Sequence, residues 1–465
     1  MPGYPVALMP SDCGDLMGSL YYDFYSMPTL SNEVYAAAGV VGIFSGITGR
    51  AFNINGAGTN QYIFVVGETG TGKDTMAYVT AKLFNAIGNM SPLAGAASMP
   101  TFNDFRGPGE LVSSAGLIKW LEKKPCTYSI LGEIGLLMQQ MCKPNAPPNL
   151  ASLMRVLLQI YSKSGNGNTF DPSAYSDTAK NTASIRNLSY TLCGETTGST
   201  FYPTLTEGMV SSGFLPRCLL FESTAPRPQE NDRPPQTPSD LTVRELANLA
   251  AQALNLGHQG IAQNVRLEGP AKDLLADFGR HATDCINSGG EVARQLWNRA
   301  RLKALKLAAL PAISRNMHDP GLILSDAEWA CNLVNHQTEH LIGKFDRNET
   351  GAVDGDEAKQ RSSIIRIVAE YMSRDYTSLA KYEVAEEMHR RGIITHSYLS
   401  RRLFTLPAFK DRLGPTAAIK RVIGRMLEDD ELREVPPKQM LEQFGSKPKA
   451  YVMSDTKPFL SVYKS

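Results

Sequence analysis

The chain lacks any apolar run approaching the ~20 residues that a membrane-crossing helix needs, and no signal peptide opens it; a cytoplasmic protein without a membrane partner is expected. It also lacks metal-ligand spacing. Its seven cysteines (Cys13, Cys126, Cys142, Cys193, Cys218, Cys285, Cys331) are scattered, with no CxxC and no histidine placed to complete a set, so a zinc module is not expected. They read as thiols in a reducing compartment. Neither sign of charge is in excess: 47 Lys and Arg face 46 Asp and Glu, which argues against a basic nucleic-acid coat. Internal repeats and low-complexity tracts are missing as well.

What is present is 465 residues, 42% hydrophobic and 20% charged, the make-up of an ordinary globular protein of about three domains. The charge is uneven. From Ala358 onward 20 Lys and Arg stand against 13 Asp and Glu, +7, which leaves −6 for the rest. The C-terminal quarter is therefore the better candidate for touching a polyanion.

One stretch organises the chain. The β-branched run Tyr62-Ile63-Phe64-Val65-Val66 enters Gly67-Glu68-Thr69-Gly70-Thr71-Gly72-Lys73-Asp74-Thr75, and Met76 to Phe84 then reads as a helix. Gly67, four residues, Gly72 and Lys73 fit a loop whose backbone N–H groups and helix N-terminus cradle a polyphosphate, with the lysine at its distal end. The pattern asks for Ser or Thr after the lysine to hold magnesium. Asp74 stands there instead, with Thr75 one step late.

Residues 1–30 show no clear periodicity and are expected as an irregular arm. A helix is expected over Asn32–Thr48 with Ser31 as its cap, then the loop-bearing strand. Further helices are expected over Gly109–Lys123 and Leu150–Tyr161, and further strands over Thr127–Glu133, Leu188–Cys193 and Arg217–Glu222. Ser162–Arg186 is a long polar insert. Proline-rich Glu222–Ser239 reads as a linker closing a core of 31–225, followed by a helical region over 226–345 whose clearest helix is Val292–Ala312. A second linker is expected at 346–358. Residues 359–465 then read as helices followed by a hairpin of 433–435 with 450–453, an order that suggests a winged helix-turn-helix.

Phosphoryl transfer needs magnesium, a group that orients water, a γ-phosphate sensor and positive charge at the transition state. Glu133, ending the second strand, is the candidate water-orienting carboxylate and, with Asp74, a candidate magnesium residue. Where such a strand usually offers Asp before Glu, the chain has Gly132. Either Asp74 takes over part of the metal-binding duty, since magnesium accepts one or two carboxylates, or the pair is degenerate and nucleotide is bound without turnover. Thr196 and Thr197 are candidate sensors, with Glu195 and Thr191 as alternatives. Arg217, opening the fourth strand, is a candidate arginine finger, and Arg294, Arg299 and Arg301 are candidate lid arginines.

Taken together these segments resemble hexameric AAA+ replicative helicases, nearest to the ATPase part of phage and mobile-element helicase or primase-helicase proteins. Gly213-Phe214-Leu215-Pro216-Arg217-Cys218-Leu219-Leu220-Phe221 is similar to the arginine-finger segment of minichromosome-maintenance helicases. The resemblance implies an α/β P-loop NTPase core with a helical lid and a C-terminal winged-helix domain. It also implies ATP and Mg2+ as cofactors, a hexameric ring, and single-stranded DNA in the pore. By that likeness Ser162–Arg186 is a pore hairpin touching DNA through Lys163, Lys180 and Arg186. In the last domain Ser397, Tyr398, Arg401 and Arg402 are the residues to test. No primase part is present, so a separate primase or other replication protein would be a partner; a loader or remodeller acting on a protein is the alternative function.

Overall fold

The β-branched run becomes β3 (Tyr62–Gly67), buried along its whole length because it lies at the inside of a four-stranded parallel sheet. The computed structural model describes residues 4–91, 99–141, 146–165, 167–171, 181–205, 207–231, 236–347, 350, 357–379, 382, 384–409 and 414–454. The sheet also holds β4 (Cys126–Leu131), β7 (Ser189–Thr196) and β8 (Cys218–Ser223), in the order β4-β7-β3-β8. Val66 lies opposite Thr196 on one side and Glu222 on the other, and Gly67 opposite Ser223, so all four carboxyl ends reach one edge. Two smaller sheets accompany it: a three-stranded one in the order β2-β1-β9, of β1 (Phe52–Ile54), β2 (Ala57–Gly58) and β9 (Gln263–Asn264), and a pair of β5 (Thr169–Phe170) antiparallel to β6 (Ile185–Arg186).

Parallel sheets are covered on both faces. On one face Tyr62 and Phe64 meet Tyr161, Phe201 and Phe214. On the other lies α2 (Glu33–Thr48), buried at every position from Val34 to Thr48, which makes it the central helix of the core. Its cap is Asn32, not Ser31: the Asn32 side chain accepts N–H bonds from Val34 and Tyr35 at 3.0 and 3.3 Å. Gly42 and Gly46 let α2 lie against Tyr128 of β4, where a Cβ would collide with the ring.

The expected irregular arm contains a helix, α1 (Gly14–Ser26), which packs on α2 with Leu16, Met17, Leu20 and Phe24 inward. Phe24 fills the space left open by Gly39. Also in chain order come α3 (Thr75–Gly88), α4 (Ser114–Lys123), α5 (Ile134–Met141), α6 (Pro148–Ser162), α7 (Asp240–Gln259), α8 (Gly269–Ser288), α9 (Ala300–Arg315) and α10 (Leu324–Asp346).

The expectation of a helical lid over 226–345 is revised. α7 packs on α1, α2 and α3, α9 packs on α1 and α2, and all belong to one compact unit, 1–343, with the sheet. Gln337 of α10 accepts the backbone N–H of Leu220, so this helix closes the outer side of β8. The single helix expected over Val292–Ala312 is two, Glu291–Trp297 and α9, broken at Asn298 and Arg299.

Residues 344–465 form a second unit with its own core. It contains α11 (Glu357–Ser373), a short helix Glu386–Arg390, β10 (Ile394–Thr395), α12 (His396–Leu403), α13 (Pro415–Glu428), β11 (Leu432–Glu434), α14 (Pro437–Phe444) and β12 (Ala450–Met453). The expected hairpin pairing is present, Arg433 opposite Val452, and β10 adds a strand that the sequence reading lacks, giving the order β10-β12-β11. Most of the linker expected at 346–358 lies outside the described residues.

Candidate functional site

Between β3 and α3 the chain makes a tight loop. Gly70 and Gly72 adopt φ of 76° and 88°, left-handed values that residues with a Cβ avoid, and Gly72 also lies against Leu30, 2.9 Å from where its Cβ would stand. Lys73 folds over the loop, its ammonium donating to the carbonyls of Gly67 and Glu68 at 2.9 and 2.6 Å. Thr71 donates to the Glu68 carbonyl at 2.7 Å and shares a buried 2.8 Å hydroxyl pair with Tyr35 of α2. Thr75 turns back to the Gly72 carbonyl at 2.6 Å. Asp74 is exposed at the cap position of α3, its side chain making no capping bond.

Four charged groups converge above this loop. Glu195 is half-buried at the end of β7 and is held above the usual carboxylate range by burial first, then by Asp74 and Glu133, while Lys73 pulls the other way. Its Oε2 is buried without a hydrogen-bond partner. Strand alternation explains its aim: Glu195 lies opposite Val65, whose side chain faces the α2 core, whereas Gly194 and Thr196 face α5. Glu133, two residues beyond β4, is exposed and holds a left-handed φ of 47°. A non-glycine residue there carries about 1–2 kcal/mol of strain, and such strain gathers at functional sites.

The segment after β8 emerges at the same edge. The Arg227 guanidinium stands 3.4 Å from where a Cβ on Gly70 would be, and it pairs with Glu230 at 2.7 Å. Arg227 is not among the expected site residues, because it lies in the proline-rich stretch 222–239 expected as a linker. The available signal was that β8 parallels β3, so its continuation reaches the loop, and Arg227 is the one cation from Thr224 to Asn231. Beside it a cavity of about 260 Å³ is lined by Tyr4, Glu222, Ser223, His336 and His340, with His340 Nε2 2.6 Å from Glu222.

Carboxylates in such proximity repel one another, and a divalent cation would relieve them. Among the described residues no three His, Cys, Asp or Glu are arranged to hold an ion by themselves. The donor set fits magnesium, which keeps waters and phosphate oxygens and takes one or two carboxylates. Asp74 and Glu195 would hold it, and it would supply charge neutralisation at a polyphosphate.

Several expected site residues lie elsewhere. Thr196 is buried against Gly135 of α5, and Thr197 stands at the head of the short helix Gly198–Phe201, bonded to Ser199 and Thr200 at 3.0 Å. Of the alternatives, Glu195 is the one set beside Lys73 and Asp74. Arg217 is no exposed finger. Pro216 and its neighbours form a 3-10 turn that folds the side chain inward, 9% exposed, onto the Gly213 carbonyl at 2.5 Å and Ser162 at 3.3 Å. It precedes the first residue of β8, at the sheet edge opposite the loop. Burial and neighbouring Arg299 lower its pKa, which places Arg299 there too. Arg294 pairs with Glu291 at 3.3 Å, and Arg301 lies along Gly279 of α8.

In the polar insert, β5 and β6 pair Thr169 with Arg186, forming the base of a hairpin at the edge where β7 begins. Arg186 is exposed, and Lys163 is 3.8 Å from Asp171. Lys180 lies outside the described residues. In the second unit Arg401 is exposed, whereas Arg402 is bound to Glu370 of α11 at 2.5 Å.

No protein-family model matches the chain, and no curated protein matches it either.

Proposed function

We propose that the protein is an ATP-dependent DNA helicase or translocase with a P-loop NTPase core and a C-terminal winged helix, working as a ring and serving replication of a phage or mobile element. The observation that carries the reading is the meeting of Lys73, Asp74, Glu133 and Glu195 over a glycine-rich loop at the carboxyl edge of a parallel sheet. That edge is also a topological switch point: chain order takes β3 to β4 on one side and β7 to β8 across it, and open α/β sheets bind ligands in such crevices. The triphosphate lies on the loop amides and the N-terminus of α3, and the nucleoside extends toward the cavity at the end of β8. Lys73 contacts the distal phosphate, Glu133 orients the attacking water, and Arg227 supplies positive charge from within the same chain, the role worth 10³–10⁵ in rate elsewhere.

DNA contacts are assigned to the β5–β6 hairpin and to α13. The order β10, α12, α13, followed by the antiparallel β11 and β12, supports a winged helix whose recognition helix is α13, and that helix reads the groove. Its buried face is Ala418, Ile419, Val422, Ile423 and Met426, and its exposed side carries Lys420 and Arg425. One observation favours a second reading: inward burial of Arg217 removes the expected finger, which suits a nucleotide-binding protein of weak intrinsic turnover that a partner activates. ATP hydrolysis measured with single-stranded DNA, with candidate partner proteins and with neither separates the two. Stimulation by DNA supports the translocase, and stimulation by protein alone supports the second reading.

A further inference from the structure

Two lysines of α9 are buried where lysines are rarely found. Lys303 is 2% exposed and Lys306 is fully buried, and among the described residues neither pairs with a carboxylate. Lys303 donates to the Cys218 carbonyl at 3.1 Å. The Lys306 ammonium has four oxygens around it: Asn60 Oδ1 at 2.6 Å, the Asn60 carbonyl at 3.4 Å, the Tyr161 carbonyl at 3.4 Å and Ser164 Oγ at 3.2 Å. It also stands 4.1 Å from the centre of the Tyr161 ring.

These partners belong to three different parts of the chain. Asn60 lies two residues before β3, the strand that ends in the glycine-rich loop, and its Nδ2 donates to Tyr190 of β7. Tyr161 closes α6. Ser164 begins the segment that enters the hairpin, and its carbonyl accepts from Asn168, whose side chain also reaches the Gly56 carbonyl. Asn168 in turn accepts the N–H of Asn187, so the two legs of the hairpin are tied just below β5 and β6. For stability alone an apolar side chain of the same size serves as well, because an unpaired buried charge is costly. What an ammonium adds is direction: it fixes three segments to one point.

We propose that Lys306 is a positioning residue that pins the root of the β5–β6 hairpin to the base of the strand carrying the glycine-rich loop, so that nucleotide state and hairpin position are coupled. This rests on the reading of function given above. Lys306 touches neither nucleotide nor DNA; it is the point where the segments bearing their sites meet. Coupling between two sites commonly changes one affinity by about 5–150-fold when the other is occupied, and removing the pin removes that factor.

The test uses the full chain, an oligothymidine strand and a non-hydrolysable ATP analogue. Wild-type protein is expected to change its affinity for the strand when the analogue is bound, and to hydrolyse ATP faster with the strand present. In Lys306→Met both the affinity ratio and the stimulation fall toward one, while basal hydrolysis and the KM for ATP stay within about twofold. Ser164→Ala, which removes the Oγ that accepts from Lys306 and donates to the Tyr161 carbonyl, lowers the same ratio with the lysine still in place. A folded Lys306→Met with an unchanged ratio overturns the proposal. If Lys306→Met does not fold, an unchanged ratio in Ser164→Ala overturns it instead. A wild-type protein whose hydrolysis and DNA binding are independent of one another defeats the reading of function first, and the pin falls with it.

Discussion

Glu133 and Glu195 sit above one loop and are expected to fail differently. Glu133→Gln keeps ATP binding and slows hydrolysis by about 10²–10⁴-fold, the range for loss of a general base, which filter binding and phosphate release measure together. Glu195 is held above its ordinary value, so between that value and its raised one the folded protein binds more protons than the unfolded one, and stability falls as pH rises through this window. Glu195→Gln therefore melts higher than wild type at pH 7 without magnesium, and the difference closes as pH falls toward the ordinary carboxylate range. A Glu195→Gln variant that melts lower at pH 7 contradicts the crowding. The buried lysines have the opposite sign. Burial, with Arg217, brings Lys306 down to about 7, and burial brings Lys303 to about 8. From those values up to the ordinary 10.5 the unfolded state binds more protons, so stability rises with pH there, and below about 7 the full penalty applies. Urea midpoints at pH 7 and pH 9 should rise less for Lys306→Met than for wild type.

Lys73, Asp74 and Glu133 were legible because a loop motif and a strand end are local patterns. Glu195 was legible only as an alternative to Thr196 and Thr197, since choosing among three successive polar residues requires knowing which sheet face meets the loop. Arg217 misled for a related reason. An arginine opening a strand reads as exposed, and only the 3-10 turn before it shows that the guanidinium goes inward.

Among the elements, α2 decides the packing. The helical spacing of Val34, Ala37, Ala38, Val41 and Phe44 predicts the helix but not its total burial, because a helix apolar all round has no face that announces its neighbours. Its glycines record the contact. Gly46→Ala drives a Cβ into the Tyr128 ring, and overpacking of this kind costs typically 1–3 kcal/mol, so a urea unfolding midpoint should fall with the m-value kept. An unchanged midpoint would show that α2 does not bear on β4 as described. The helix α1 escaped notice because tyrosine, methionine and glycine mask its spacing of Leu16, Leu20 and Phe24. The break at Asn298 and Arg299 was hidden in a run of good helix formers.

At the scale of the molecule, the four parallel strands were read in the right order along the chain, but their order across the sheet and the fusion of 226–343 with the sheet follow from long-range contacts that no local pattern carries. The sheet separates the proposed chemistry from the proposed DNA contact by the length of β7, roughly 23 Å for eight residues. The second unit adds Lys420 and Arg425, both exposed on α13; replacing both with Ala should weaken DNA binding and flatten its dependence on salt by nearly two charges. Unaltered salt dependence would assign that helix to another partner.

The most direct measurement is steady-state ATP hydrolysis by the full chain with and without single-stranded DNA, run beside Lys73→Ala. The account predicts magnesium-dependent hydrolysis that DNA accelerates and that Lys73→Ala lowers by about 10²-fold or more. Hydrolysis that is absent, or that is indifferent both to DNA and to the loss of Lys73, would contradict it.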